Sequence, residues 1–489
     1  MKLFENPIFL TQKRLIHRAG VVAPVFVVLL IGLSMLASLG YELALGTVVE
    51  RSSIDETGRA YYAWLLVVQA LVLVVGGFSR ISRTLVEERR AGLLDSNRLT
   101  PLPSRELVMG YWLGGPLREF YMAASLAPVG LAIVLMARLP LGLWVGTQML
   151  LLTTGLLFGL LGVLAGMAMP RAQGGVGLFV GILLVLPNML AAGRLSLTNF
   201  LVPVYAAVEL FHVNSLQAEQ WNRTVELFSL SIHPLVYTLT LQVVLAVMIW
   251  RGAVRKLTSP TRPAFLRWEV LTIFALLVFL QYGLIWSRQA RVVPWRDGDS
   301  MQLAFVHGGA LLVGIVILAA QVLSPEEARI VSLRLGHEDL GRTLWRSAPC
   351  TALALAAIAS AGLWTQFRHT EALQVINLLL VSLNTVIVYV TFAMLLELSR
   401  LEFRRRATGF FVLGVFVFYG LPFLISATLL SSEFMKFSFL SPGFAALANP
   451  DVEDVRYLGK ITIGHYAIAA ALLYFWVTRW QCWLSRAVR

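Results

Sequence analysis

Residues 141–169 read LGLWVGTQMLLLTTGLLFGLLGVLAGMAM, an unbroken run without a charged side chain. At about 1.5 Å per residue, a helix of that length exceeds the roughly 30 Å of a bilayer's hydrocarbon core. Peptide groups inside hydrocarbon must hydrogen-bond within their own segment, so the run specifies a membrane-crossing helix. Comparable runs recur along the chain. In the first half they cover 20–41, 62–79, 120–137, 141–169, 175–193 and 233–251. In the second half they cover 268–286, 301–322, 349–367, 373–397, 409–430 and 460–478. The expected fold class is therefore all-α: a polytopic helical membrane protein with about twelve transmembrane helices.

Composition agrees. A chain of 489 residues is long enough for several soluble domains, but it is 58% hydrophobic and 14% charged, which leaves too little polar surface to cover them. The net charge of +13 does not point to nucleic acid, because the basic residues are dispersed through many short loops. Segments 80–118, 251–267, 329–346, 400–406 and 479–489 fall on one side of the membrane together with the N-terminal residues, and that side holds about 28 of the 40 Lys and Arg. The positive-inside rule then puts both termini in the cytoplasm. Arg288, Arg291 and Arg296 fall on the other side, beside Asp297 and Asp299. Cys350 and Cys482 both lie near the cytoplasmic face, where a disulfide would not persist. The expected location is a bacterial inner membrane, as a multi-pass protein; the excess of arginine over lysine is associated with bacteria of high genomic GC content.

Asn6-Pro7 is a cap and first-turn pair. It opens a surface helix over 7–19 with Ile8, Phe9, Leu15 and Ile16 on one side and Lys13, Arg14 and Arg18 mostly opposite. The apolar run that follows lacks a small-residue cleavage site, so this segment is expected to stay attached. Two similar six-helix halves are expected, 1–255 and 256–489. Their order of crossings and loops agrees, and FLVPVYAA at 200–207 echoes FLSPGFAA at 439–446 before the last crossing of each half.

Between the second and third crossings, residues 80–114 read RISRTLVEERRAGLLDSNRLTPLPSRELVMGYWLG. Ile81 and Leu85 alternate with Arg83, Glu87, Glu88, Arg89 and Arg90 at helical spacing. A break follows at Gly92, then the Thr100-Pro101-Leu102-Pro103-Ser104 turn, where Ser104 is placed to cap the next helix. An amphipathic helix is implied. The segment resembles the corresponding loop of ABC type 2 permeases. There a Glu-rich helix, a Gly, a Thr-Pro-Leu-Ser turn, a Glu and a Gly-Lys occur in this order. Glu87 and Glu88, Gly92, Thr100, Pro101, Glu106 and Gly110 fit it, while Leu93 replaces a usual Thr and Tyr111 a common Lys.

The resemblance implies a coupling segment over 80–118 that seats in a cleft of a separate cytoplasmic ATPase. Two copies of that subunit would hold ATP and Mg, and this chain would bind no cofactor itself. Glu87, Glu88, Arg89, Arg90, Gly92, Thr100, Pro101 and Glu106 would do the coupling. A coupling-like segment covers 324–348 in the second half, where Ser324-Pro325-Glu326-Glu327 forms a capping box. The helix it opens carries Ala328, Val331 and Leu335 on one face and ends at Gly336. Glu326, Glu327, Arg329 and Arg334 are its coupling candidates. Lacking the Thr-Pro-Leu turn, it is a degenerate second element or one that faces a different ATPase. His337, Glu338 and Asp339 are consecutive and point in different directions, so they read as a solvated loop and not as metal ligands.

No Gly-x-x-x-x-Gly-Lys-Ser/Thr loop occurs, so the energy source would lie on the partner. Glu42, Glu209, Glu269 and Glu397 all stand at or beyond a membrane boundary. That counts against a 12-helix secondary active transporter, which needs carboxylates at depth. A membrane protein acting on lipid-linked substrates is the other alternative. Asp451, Glu453 and Asp454 would serve it, but they lack a partner pattern. Asn188, Gln242, Gln281, His307, Asn384 and His465 are polar groups within crossings, either interhelical hydrogen bonders or, for Asn188, His307, Asn384 and His465, liners of an export route. The glycines over 155–166 are expected to let helices approach closely. The exported substrate is not legible in the sequence.

Overall fold

The structure is a computed structural model. It describes residues 6–18, 20–44, 51–99, 102–168, 225–227, 230–258, 264–289, 348–364, 372–402 and 452–488. The described residues are 92% helical, as an all-α membrane protein requires. Among the described residues the one β element is a two-stranded ribbon, Val225–Leu227 and Leu230–Ile232.

Seven described helices are long and apolar enough to cross a membrane: Val22–Ala44, Ile54–Arg90, Leu117–Met136, Leu141–Met167, Leu235–Thr258, Leu378–Leu398 and Gly459–Arg479. These coincide with seven of the expected crossings. Two more crossings fall on shorter apolar helices, Trp268–Gly283 and Cys350–Trp364. Those expected at 175–193, 301–322 and 409–430 lie outside the described residues, as do both copies of the FLxPxxAA echo.

The chain divides into two compact units, with the main boundary between Ala264 and Phe265. The first contains α1 (Pro7–Arg18), α2 (Val22–Ala44), α3 (Arg51–Ala70) and α4 (Gly77–Arg90). It continues with α5 (Leu93–Leu99), α6 (Ser104–Gly114), α7 (Leu117–Met136), α8 (Leu141–Ala168) and α9 (Pro234–Thr258). A π-helical turn, Leu71–Gly76, joins α3 to α4, so the second crossing and its continuation form one long helix. The second unit contains α10 (Arg267–Gln289), α11 (Ala348–Trp364), α12 (Ala372–Glu402) and α13 (Val452–Val488), packed in sequence order. Its core gathers Phe274, Tyr282, Leu355, Ala356 and Tyr389, with Phe274 edge-on to Tyr389 at 6.2 Å.

In the first unit, Tyr62, Leu65, Leu126, Ile133 and Leu139 make the core between α3 and α7 and the start of α8. Lipid tails are as apolar as these side chains, so close contact and hydrogen bonds hold the helices together. Polar rungs supply the bonds. Tyr62 meets the Thr147 hydroxyl at 2.6 Å, and Gln69 donates to the Ala123 carbonyl at 3.0 Å. Gln148 donates to Gln69 at 3.1 Å, and Gln242 donates to Thr154 at 2.9 Å. Gln242 thus meets the interhelical alternative. The α7–α8 corner turns tightly through Arg138 at φ 55°, with the Leu139 N–H reaching back to the Val134 carbonyl at 2.8 Å.

The glycines of 155–166 do set close approach. A Cβ on Gly155 would sit 2.6 Å from Leu73, and one on Gly162 would sit 3.0 Å from the Phe78 carbonyl oxygen. On Gly166 it would come 2.8 Å from the Leu85 Cβ and 3.0 Å from the Ser82 carbonyl. Helices α4 and α8 therefore touch backbone to backbone. Gly166→Val is expected to force them apart at a cost of about 1–3 kcal/mol. Thermal unfolding of the detergent-solubilised protein should show a lowered Tm for it, and an unchanged one for Gly142→Ala, where nothing lies within 4 Å.

Candidate functional site

The helix from Ile54 to Arg90 has 37 residues and would be about 55 Å long, well beyond the hydrocarbon core. Its charge-free part is 60–79, between Arg59 and Arg80, and that part alone matches the bilayer. The last turns of α4 must therefore stand out of the hydrocarbon as a charged arm. The sequence implied an amphipathic helix here. In the structure the segment is the continuous end of the second crossing, because no proline interrupts Arg51 to Arg90 and Gly76 and Gly77 keep helical dihedrals.

Residues 81, 85 and 88 share one stripe of the arm, and 83, 87 and 90 share another. Ile81 and Leu85 are buried, and Glu88 lies half-buried among them. Its carboxylate accepts a hydrogen bond from Gln12 of α1 at 3.2 Å, and a short one from the Tyr111 hydroxyl of α6. One carboxylate thus ties three helices together. Glu87 points away, exposed, and pairs with Arg83 at 2.8 Å; Arg90 is exposed beside it. Arg89 donates to the Met167 carbonyl at 3.2 Å, placing a cation at the negative end of α8. Of the candidates Glu87 through Arg90, Glu88 and Arg89 thus hydrogen-bond to neighbouring helices, while Glu87 and Arg90 face out.

Beyond the arm, Gly92 adopts φ +73°, a left-handed conformation that ends the helix, as the break in the sequence suggested. The seven-residue α5 follows. Thr100 and Pro101 lie outside the described residues. Ser104 does not cap α6. Pro103 occupies the cap position, its carbonyl accepts from the Glu106 and Leu107 N–H groups, and the Ser104 hydroxyl instead meets Thr258 of α9 at 3.0 Å.

Helix α1 is fixed on the same platform. Asn6 caps it through its Oδ1, which accepts from the Ile8 and Phe9 N–H groups at 3.0 and 3.3 Å. The amide of the same side chain reaches the Glu106 carbonyl at 2.6 Å. Gly110 and Gly114 of α6 admit Ile8, Phe9 and Gln12, since a Cβ on Gly110 would lie 2.8 Å from Ile8. The Glu106 side chain keeps one oxygen, Oε2, buried and without a hydrogen-bond partner. Lys13 and Arg14 are exposed and Phe9 is buried, as the amphipathic pattern indicated. Gln12 on the buried face was not anticipated.

Of the residues considered for an export route, Asn384 and His465 come together in the second unit. Asn384 is fully buried between α12 and α13, donates to Thr462 at 2.9 Å and lies 3.4 Å from His465 Nδ1. Asn188, His307, Glu326, Glu327, Arg329 and Arg334 lie outside the described residues.

Tyr111→Phe is expected to strip Glu88 of a donor and cost about 1–3 kcal/mol, loosening α1. Limited proteolysis should then cut the N-terminal helix sooner than in the unsubstituted protein. Glu87→Ala, at an exposed site, should leave the cleavage rate unchanged.

Comparison of the chain with protein-family models, with curated proteins and with solved structures finds no match to any of them.

Proposed function

We propose that this chain is the membrane-spanning permease of an ATP-binding cassette exporter, driven by separate cytoplasmic ATPase subunits that dock on the arm of α4. The observation that carries the reading is the division of labour on that arm. One stripe, Ile81, Leu85 and Glu88, is tied into the fold, while the opposite stripe presents Arg83, Glu87 and Arg90 to solvent. A solvated loop has no need of such bracing. A part that receives force from another protein does, because a compliant contact dissipates the displacement it should pass on.

The route of that force is short. A push on Glu87 or Arg90 passes through α4 into α8, whose glycines put the two backbones in contact, and through Glu88 into α1 and α6. Arg89 ties the arm to the end of α8 as well. The order of Glu-rich helix, Gly, Thr-Pro-Leu turn and Glu adds the resemblance to type 2 permeases, and the replacement at Tyr111 still provides a donor to Glu88. ATP and Mg would be held by the partner, in two copies, and the cytoplasmic face of an inner membrane would be the place of docking. The two six-helix halves would form the translocation route.

Reversing the outward charges in Glu87→Lys/Arg90→Glu is expected to abolish co-purification of the ATP-binding cassette subunit and the stimulation of its ATP hydrolysis. The Tm should stay within about 1 °C of the unsubstituted protein, since surface substitutions change stability little. Undiminished co-purification with undiminished hydrolysis would overturn the docking role.

A further inference from the structure

Two arginines and a glutamate meet where α4 leaves the apolar layer and α7 enters it. Glu119 is 2% exposed, and a single oxygen of its carboxylate, Oε1, takes both Arg80 of α4 at 3.5 Å and Arg118 of α7 at 3.1 Å. The other oxygen, Oε2, is buried without a hydrogen-bond partner. Each guanidinium has five N–H donors, and one shared oxygen satisfies few of them. Both remain partly open, Arg80 at 25% and Arg118 at 38% of the side chain. Neither has another ionic or hydrogen-bonding partner among the described residues. The cluster keeps a surplus of one positive charge.

Its depth follows from the sequence. The charge-free stretch 60–79 ends at Arg80, and the charge-free stretch 120–137 begins after Glu119. Both ends of these antiparallel neighbours therefore sit at one level, that of the lipid headgroups. Tyr121, three residues beyond Arg118 on the same face of α7, is 41% exposed, the placement of an interfacial aromatic. The backbone keeps the two helices close at this point. A Cβ on Gly76 would touch the Glu119 Cγ at 3.4 Å, and one on Gly77 would touch Pro116 at 3.4 Å.

We propose that Arg80 and Arg118, positioned by Glu119 and flanked by Tyr121, bind the phosphate of an anionic lipid headgroup at this boundary of the first unit. Guanidinium forks match phosphate oxygens in pairs, and the buried carboxylate holds both forks at one point. The surplus charge selects a lipid without a compensating ammonium, such as phosphatidylglycerol, over phosphatidylcholine. The site does not depend on the transport reading, since it needs only a bilayer.

The test uses the purified full chain in nanodiscs of phosphatidylcholine with a minor fraction of phosphatidylglycerol, with retained lipid counted by native mass spectrometry and Tm measured alongside. The unsubstituted protein should retain phosphatidylglycerol preferentially and gain Tm from it. Arg118→Gln, which leaves the Arg80–Glu119 pair in place, should lose about fivefold in retention. Glu119→Gln, which keeps an oxygen acceptor for both forks and removes only the counter-charge, should retain more. Retention by Arg118→Gln and by Arg80→Gln/Arg118→Gln equal to that of the unsubstituted protein would make the cluster an internal ion triad and overturn the proposal. So would a Tm gain that inorganic phosphate reproduces in full while displacing the lipid, since the site would then take a free anion.

Discussion

Everything that α4 does beyond the bilayer depends on how closely it lies on α8. Two helices in hydrocarbon gain little from hiding apolar surface, so their attachment must come from contact distance, and contact distance is set here by Gly155, Gly162 and Gly166. With side chains at those positions the helices would stand apart by the thickness of a methyl group or more. A long helix held only by its ends would bend. One held along its length moves as a unit with its neighbour, and that property makes its exposed end useful.

The electrostatics of the protruding part follow from the same packing. Two adjacent glutamates, Glu87 and Glu88, have different environments because consecutive residues on a helix are turned by about 100°. Glu87 lies in water beside Arg83, where an ion pair contributes little to stability. Glu88 lies against Tyr111 and Gln12, where each hydrogen bond answers a charge that would otherwise be stranded. The same contrast appears at Glu119, whose burial is tolerated because two guanidiniums face it.

The class of fold was open to reading because apolar length is a local property: seven of the runs proved to be helices able to cross a bilayer. Local signals also marked the Asn6 cap and the Gly92 stop. The inward turn of Glu88 lay in its spacing to Ile81 and Leu85, but its charge set it with Glu87 and Arg90 instead. Other contacts had no local signature. Gln12 finds Glu88 across 76 residues and Asn6 finds Glu106 across 100, and nothing near either residue announces a distant acceptor. Ser104 looked like a cap because its type and place suited one, but a proline before it supplies the extended conformation and a threonine on α9 takes its hydroxyl. The π-helical turn was hidden by its own composition, LVLVVG, which is apolar at every position and so carries no period.

That turn changes what the same helix can tolerate on its two sides. Before it, one residue per turn is buried, at Gly58, Tyr62, Leu65 and Gln69; after it, adjacent pairs are buried, at Gly77 and Phe78, Ile81 and Ser82, and Leu85 and Val86. An extra residue in one turn rotates everything downstream by about 100° and brings a second column of side chains against the neighbours. The upstream half can therefore drift in sequence among apolar residues on its lipid-facing sides, whereas the downstream half is pinned on two columns at once. Variation along this one helix should thus be lopsided, with the boundary at residues 71–76 and not at the membrane surface.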